Sequence, residues 1–509
     1  MKPEGQSLVC ENFERVKHYV SQFPIAQSLP PQKNVRLGGK LWRDNTRYRP
    51  GRIYCGCVSD IPMLNVTLNH PSALSKAGVK VAHLDNNPYY GGDEASLTLD
   101  ELAQWADSRS TPSENSEKLS SYLVAQRAKF TSVSRSPLVP DHPRHYSISL
   151  APSLIPSVGP LISSLIASGV SRYGGYRLLE RVGIYSSESG LQNVPGSKED
   201  VFKSSLSLIE KRRLMRFLIF ASGEFESSKE FQGQEQTPFP EFLRSKFSLT
   251  QEIVDAIVYA LAFCSSIAGS PCPFLVLIHM TTIGGVADVT VHALTRLRNY
   301  LRSAGRYGAS PFLVGHYGGL GEIAQGFCRV SAVNGGVYIL DRKIEEITTP
   351  TSASGDKFVA NLDDLPEPLT ADVLVAAHDQ IPLSLNPLLA QDTHSFLIAR
   401  CIAVIDKPIT FPPLLSSDEG LSEDEVESAP VTSGNEDAGG QSSESATQPE
   451  LPTEAPLVDT SIIVFPPCSV NGGSSTTAAH AFTTGSGTLS APQGKCKEHL
   501  YCAGCSRLN

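Results

Sequence analysis

The stretch from Ser72 to Gly92 constrains this chain more than any other. Ser72-Ala-Leu-Ser-Lys-Ala is helix-friendly, and Gly78 stands where a helix ends on a left-handed residue. Val79-Lys-Val-Ala-His-Leu then alternates as a strand does, and it runs into Asp85-Asn-Asn-Pro-Tyr-Tyr-Gly-Gly, dense in turn formers. A helix feeding a strand at this spacing is a unit of an α/β sheet. The Asp at the strand end invites a dinucleotide reading, in which an acidic residue holds ribose hydroxyls about 20 residues after a Gly-rich turn. That turn must come first, because its backbone has to approach the pyrophosphate. No glycine lies between Gly56 and Gly78. The segment therefore reads as a buried α/β unit without a nucleotide, and no cofactor is expected.

The rest of the chain supplies the core such a unit needs. Hydrophobic residues make up 40% of the 509, enough to exclude wholesale disorder. No run of about 20 apolar residues exists, so no membrane-spanning helix is expected. The N-terminus lacks the apolar region of a secretion signal, and eleven scattered cysteines fit a reducing compartment rather than a disulfide scaffold. Residues 1–50 are polar and irregular, and 105–140 are Ser-rich, a loop or a solvated helix. Helices are predicted from Ser149 through Leu165 with Pro near the start, and over 206–221, 238–265 and 291–302. Leu214, Phe217, Leu218 and Ala221 show the helical spacing. Strands are predicted at Val337-Tyr-Ile-Leu, within 357–406 and within 460–490.

Charge is unevenly spread. Residues 411–460 carry twelve Asp and Glu and no Lys or Arg, while the remaining 40 acids nearly balance the 43 basic residues. The stretch 415–455 reads as disordered low-complexity chain. No basic stripe exists, so no nucleic-acid partner is expected. No nucleophile-elbow, zincin or phosphate-loop pattern occurs, and no catalytic residue is assigned. Cys496, His499, Cys502 and Cys505 offer soft ligands, but four within ten residues make a poor cage, so no metal is assigned. Glu322 sits in Tyr317-Gly-Gly-Leu-Gly-Glu-Ile-Ala-Gln-Gly-Phe, a Gly-rich and aromatic setting better suited to docking a partner than to catalysis.

Two long motifs carry a family resemblance. Asp85-Asn-Asn-Pro-Tyr-Tyr-Gly-Gly, and the stretch from Gly305-Arg-Tyr-Gly-Ala-Ser-Pro-Phe-Leu into Gly319-Leu-Gly-Glu-Ile-Ala-Gln-Gly-Phe-Cys-Arg-Val-Ser-Ala-Val-Asn-Gly-Gly, resemble the signatures of the Rab GDP-dissociation inhibitor and Rab escort protein superfamily. The resemblance implies an α/β (α+β) fold. A FAD/NAD(P)-binding-like multi-sheet domain would carry a smaller all-helical domain and a disordered acidic insertion, and would serve as a scaffold rather than an oxidoreductase. It also implies Rab-binding residues at Tyr90, Glu322, Arg329, Val337, Tyr338 and Ile339, where the family often has Thr in place of Val337. Asp200-Val-Phe-Lys-Ser-Ser-Leu-Ser-Leu-Ile-Glu-Lys-Arg-Arg looks like the escort-protein helix that docks on the Rab geranylgeranyl transferase, with Phe202 and Arg212 as the contact pair. The expected partners are GDP-bound Rab GTPases, unprenylated and prenylated, the transferase α/β heterodimer and the geranylgeranyl lipid. The expected location is the cytosol, with transient membrane delivery. A plain dissociation inhibitor is the alternative, and a FAD-dependent oxidoreductase a more remote one.

On this resemblance the chain divides into an irregular segment 1–50, a first part of the Rab-binding domain at 51–143, and a helical domain with the lipid site and transferase docking at 144–265. An atypical insertion at 266–290 follows, then a second part of the Rab-binding domain at 291–410, an acidic linker at 411–456, the domain's end at 457–495 and an atypical tail at 496–509. Three departures stand out. Pro62-Met-Leu-Asn replaces the family's Gly-Thr-Gly-Leu turn, residues 271–287 interrupt a helix-to-helix link, and the last fourteen residues are unlike the family. A damaged first strand is expected from the first of these.

Overall fold

The structure is a computed structural model. It describes residues 54–55, 69–110, 126–194 without 129 and 138, 201–264 without 202, 203 and 205, 289–350 without 343, 357–375 without 364, 398–412 without 407 and 408, and 458–503. The α/β unit forms as its sequence dictates. The helix Asn69–Lys76 ends before Gly78, whose φ of 81° is free only to glycine, and the strand Ala82–Leu84 follows. That strand is central in a parallel three-stranded sheet, between Tyr54–Cys55 and Val337–Ile339. The first strand, expected to be damaged, is thus present as a two-residue stub.

A parallel sheet needs cover on both faces. On one side the Asn69–Lys76 helix meets the long helix Leu320–Val333, where Ser75 Oγ and Ser331 Oγ lie 2.9 Å apart. On the other, Leu84 and Ile339 pack with Ala360, Leu362 and Ala371 of a small antiparallel sheet. That sheet is formed by Ile344–Thr348, Phe358–Leu362 and Leu369–Ala371.

A second, six-stranded sheet runs in the order Ile398–Ile405, Cys496–Ala503, Ala479–Thr484, Thr460–Phe465, Arg181–Ser186, Gly190–Asn193. Only the 460–465 and 181–186 pair is parallel. Ile462, Val464, Phe482 and Tyr501 line one face and join the main core. The segment expected as an atypical tail from residue 496 therefore opens with a strand paired on both edges.

The helices form the other wall of that core. Leu208–Ser222 starts in a capping box, in which Ser207 Oγ accepts from Glu210 N and the Glu210 carboxylate accepts from Ser207 N. Phe239–Phe247 and Gln251–Asp255 follow, the latter running on into a π-turn at Ala256–Leu261. Phe217, Phe239, Phe242 and Phe247 interleave with ring centroids about 5–6.5 Å apart. The helix Thr290–Ser303 closes onto this cluster through Leu294 and Leu297, with Arg298 ion-paired to Glu226 at 2.8 Å and lying 4.6 Å over the Phe225 ring.

The stretch 144–265 is thus mixed. Helix Pro160–Ser168, with Pro at its first turn, and the strands between Ile148 and Asn193 precede the helical bundle, which begins at Leu208. The 291–302 helix, read as part of the α/β domain, packs with the bundle. Apolar spacing fixes that a helix forms but not which body it joins. Of the acidic linker 411–456, Phe411 and Pro412 are described. Phe411 is buried, and Asn193 Nδ2 donates to the Pro412 carbonyl at 2.8 Å. The remainder of that linker, Pro62-Met-Leu-Asn and 271–287 lie outside the described residues.

Candidate protein-binding surface

The two motifs meet in space because backbone bonds tie the first to the strand after the second. Asp85 N donates to Ile339 O at 2.9 Å, and Asp341 N donates to Asn87 O at 3.0 Å. Asp85 Oδ1 accepts from Asn87 N at 2.9 Å and from Asn87 Nδ2 at 2.7 Å, the local bonding that Asp supplies to a turn. Gly91, at φ 96°, then lies against the long helix: a Cβ there would sit 3.6 Å from Ala324 Cβ. The positive φ of Gly91, together with the 3.3 Å that a Cβ would leave to Ala95 Cα, is what favours glycine in this turn.

This closure sets Tyr90 edge-on to Tyr338, with ring centroids 5.9 Å apart, and Tyr338 in turn lies 4.7 Å from the His83 ring. Tyr90 remains 40% exposed, so one ring edge is held while the other is free. Burial lowers His83 to about 4 and pushes the Cys328 thiol beside Tyr338 up to about 12. Both are neutral at physiological pH, so neither adds charge to this floor, where the buried Asp85 carboxylate also helps to raise Cys328. The strand's alternation puts Tyr338 on one face and Val337 and Ile339 on the other. Tyr338 turns to Tyr90 and Ile339 packs into the Leu84 cluster, while Val337, at the strand's start, is 55% exposed.

The helix Leu320–Val333 carries the charges. It starts behind Gly318 and Gly319, both at positive φ, and Gly321 lies so close to Ser96 that a Cβ would meet its backbone N at 2.6 Å. Glu322 is half-buried, and burial raises its carboxyl above the usual range. Arg329 is exposed, two turns on along the helix, about 10 Å in rise. The two charges share a face but are too far apart to pair with each other. Instead the Arg329 guanidinium carbon lies 4.9 Å from the centroid of Tyr173, a residue that motif reading did not assign. The only sequence signal for Tyr173 is an aromatic beside Gly174-Gly175.

The second expected contact pair is separate from this surface in sequence and in element. Phe202 lies outside the described residues. Arg212 is exposed on Leu208–Ser222, where Leu208 is 76% and Ile219 66% exposed. At about 100° per residue, Leu208, Ile209, Arg212, Arg216 and Ile219 fall within an arc of about 100°, opposite Leu214, Phe217, Leu218 and Ala221 in the core.

Among the described residues no group of His, Cys, Asp and Glu is arranged to hold a metal, and no helix is long and apolar enough to cross a membrane. The C-terminal Cys/His run is strand from Cys496 to Ala503, and strand alternation turns Cys496 and His499 to opposite faces.

Comparison with known proteins agrees with this architecture. A crystal structure of Rab GDI from Plasmodium falciparum superposes with a TM-score of 0.54 at 19% identity, covering 90% of this chain and 83% of that one. This likeness shows the fold, α/β of the FAD-binding-like type with a helical part. The Rab proteins geranylgeranyltransferase component A of Saccharomyces cerevisiae is 26% identical over 67% of this chain and 50% of its own length. The Rab GDP dissociation inhibitor beta of Rattus norvegicus is 30% identical over 54% of this chain and 53% of its own. The chain thus spans about half the length of these curated relatives. Residues 70–412, well over half of the chain, match the GDP dissociation inhibitor family, and the chain belongs to that family.

Proposed function

We propose that this chain is a Rab escort protein. It binds a GDP-bound, unprenylated Rab GTPase and presents it to the Rab geranylgeranyl transferase, then shields the lipid until membrane delivery. The bond chemistry belongs to the transferase, and this chain acts as its non-catalytic accessory in the cytosol. Rab docks on the surface built from Tyr90, Glu322, Arg329, Val337 and Tyr338, with Ile339 supporting the strand from beneath. The observation that carries this reading is the convergence of both motifs on one exposed surface, with Tyr90 stacked edge-on to Tyr338. In this scheme 51–143, 291–410 and 457–495, apart from the Thr290–Ser303 helix that packs with the bundle, make up the Rab-binding body, and the helical part of 144–265 supplies the lipid site. Each lipid CH₂ removed from water there contributes about 0.8 kcal/mol.

A specific observation favours an escort protein over a plain dissociation inhibitor. The outward face of Leu208–Ser222 exposes Leu208, Ile209 and Ile219 around Arg212 and Arg216. Large apolar side chains grouped with Arg on one helix face are what a docking site presents. Phe202 and Arg212 are the proposed transferase contacts. Pull-down of purified chain with GDP-loaded Rab, with and without transferase, tests both levels. An escort retains Rab and recruits transferase. A dissociation inhibitor retains Rab alone, and failure to retain Rab defeats the reading.

A further inference from the structure

Tyr173 is fixed in place from the backbone up. The turn Val170–Arg172 touches the long helix at Gly326, where a Cβ would lie 2.7 Å from Val170 Cγ1, so glycine is what admits the turn this close. Val170 is buried in the cluster with Ile323 and Phe327, and Tyr173 N donates to Val170 O at 2.9 Å. The Tyr173 backbone is thus tied to the helix through Val170. Arg329 stands three residues beyond Gly326 on that helix, and its guanidinium lies over the Tyr173 ring at 4.9 Å. Tyr173 is nevertheless 50% exposed, and no carboxylate pairs with Arg329 among the described residues.

A guanidinium held over a ring face by its charge keeps N–H donors free to point at something else. Holding the group there also removes part of the rotamer freedom a partner would otherwise have to quench. We infer that Tyr173 belongs to the partner-docking surface as a positioning residue, holding Arg329 as a preorganised fork for a carboxylate on the docked Rab GTPase. A carboxylate is the fitting group because it matches the fork's geometry and charge. The inference rests on the Rab-binding reading above and names a residue that reading does not contain.

The test is titration of GDP-loaded Rab against the full chain carrying Tyr173→Ala, Tyr173→Leu, Tyr173→Phe, Arg329→Ala, and Tyr173→Ala with Arg329→Ala. Tyr173→Ala and Tyr173→Leu should each weaken binding about three- to tenfold, and Tyr173→Phe should restore it, because the ring rather than apolar volume does the holding. In the Arg329→Ala background, Tyr173→Ala should cost nothing further. If Arg329→Ala weakens binding while Tyr173→Ala and Tyr173→Leu leave it unchanged, or if the Tyr173 effect persists in full without Arg329, this inference alone is overturned. If Arg329→Ala itself leaves Rab affinity unchanged, the Rab-binding reading of this surface fails with it.

Discussion

Among the described helices that turn a face to solvent, two do so in opposite styles. Leu320–Val333 is fitted tightly: Gly321 and Gly326 let Ser96 and Val170 approach, and its exposed charges are held by burial at Glu322 and by a ring at Arg329. Leu208–Ser222 leaves Leu208, Ile209 and Ile219 uncovered beside Arg212, while its opposite face is packed with phenylalanines. The first is a rigid polar surface whose geometry is already paid for in the fold. The second is an apolar stripe whose exposure is relieved only by a partner. The difference teaches that one chain can offer a preorganised docking surface and an adhesive one on separate elements, and that each should fail in its own way when mutated.

The largest expected effect separates the two faces of Leu208–Ser222. Phe217→Ala should lower stability by about 3–5 kcal/mol, because it removes a fully buried ring from the aromatic cluster. Ile219→Ser, on the outer face, should stay within about 0.5 kcal/mol. Denaturant unfolding of both variants decides it, and equal losses would mean the outer stripe is not free.

Next comes the docking contrast. Glu322→Ala should weaken Rab binding by about 2–3 kcal/mol, since a half-buried carboxylate leaves its partner group unpaired when removed. Transferase binding measured directly, without Rab, should not change. Loss of both would merge the two surfaces into one.

The converse variant is smaller. Arg212→Ala should reduce transferase affinity by about 1–2 kcal/mol, the range for an interface Arg short of a dominant anchor, with Rab affinity untouched. Isothermal titration against each partner checks this, and a Rab-only defect would reverse the assignment.

The smallest effect is electrostatic. Burial raises the Glu322 carboxyl, so the folded state holds that proton more tightly than the unfolded state does. Its contribution to stability is therefore best at low pH and is lost as pH rises through the folded value. The stability of Glu322→Gln relative to the native chain should rise slightly from pH 4 to pH 7, by tenths of a kcal/mol given the group's partial exposure. A flat difference would show that Glu322 is effectively solvated.

What could be read from the residues alone follows from how far each signal reaches. Gly78 and the spacing of Leu214, Phe217, Leu218 and Ala221 each act within a few residues, so the helices they mark form where expected. The two motifs were legible as family signatures, and they led to the surface on which Tyr90 and Tyr338 meet. Their contact itself, the docking of Thr290–Ser303 onto the bundle, the pairing of Cys496–Ala503 into the six-stranded sheet and the stacking of Arg329 on Tyr173 were not legible. Periodicity tells which face of an element is apolar, but a buried face fits many partners. The choice among them is made by close approach, as where Gly321 admits Ser96 and Gly326 admits Val170, and close approach exists only once the chain has folded.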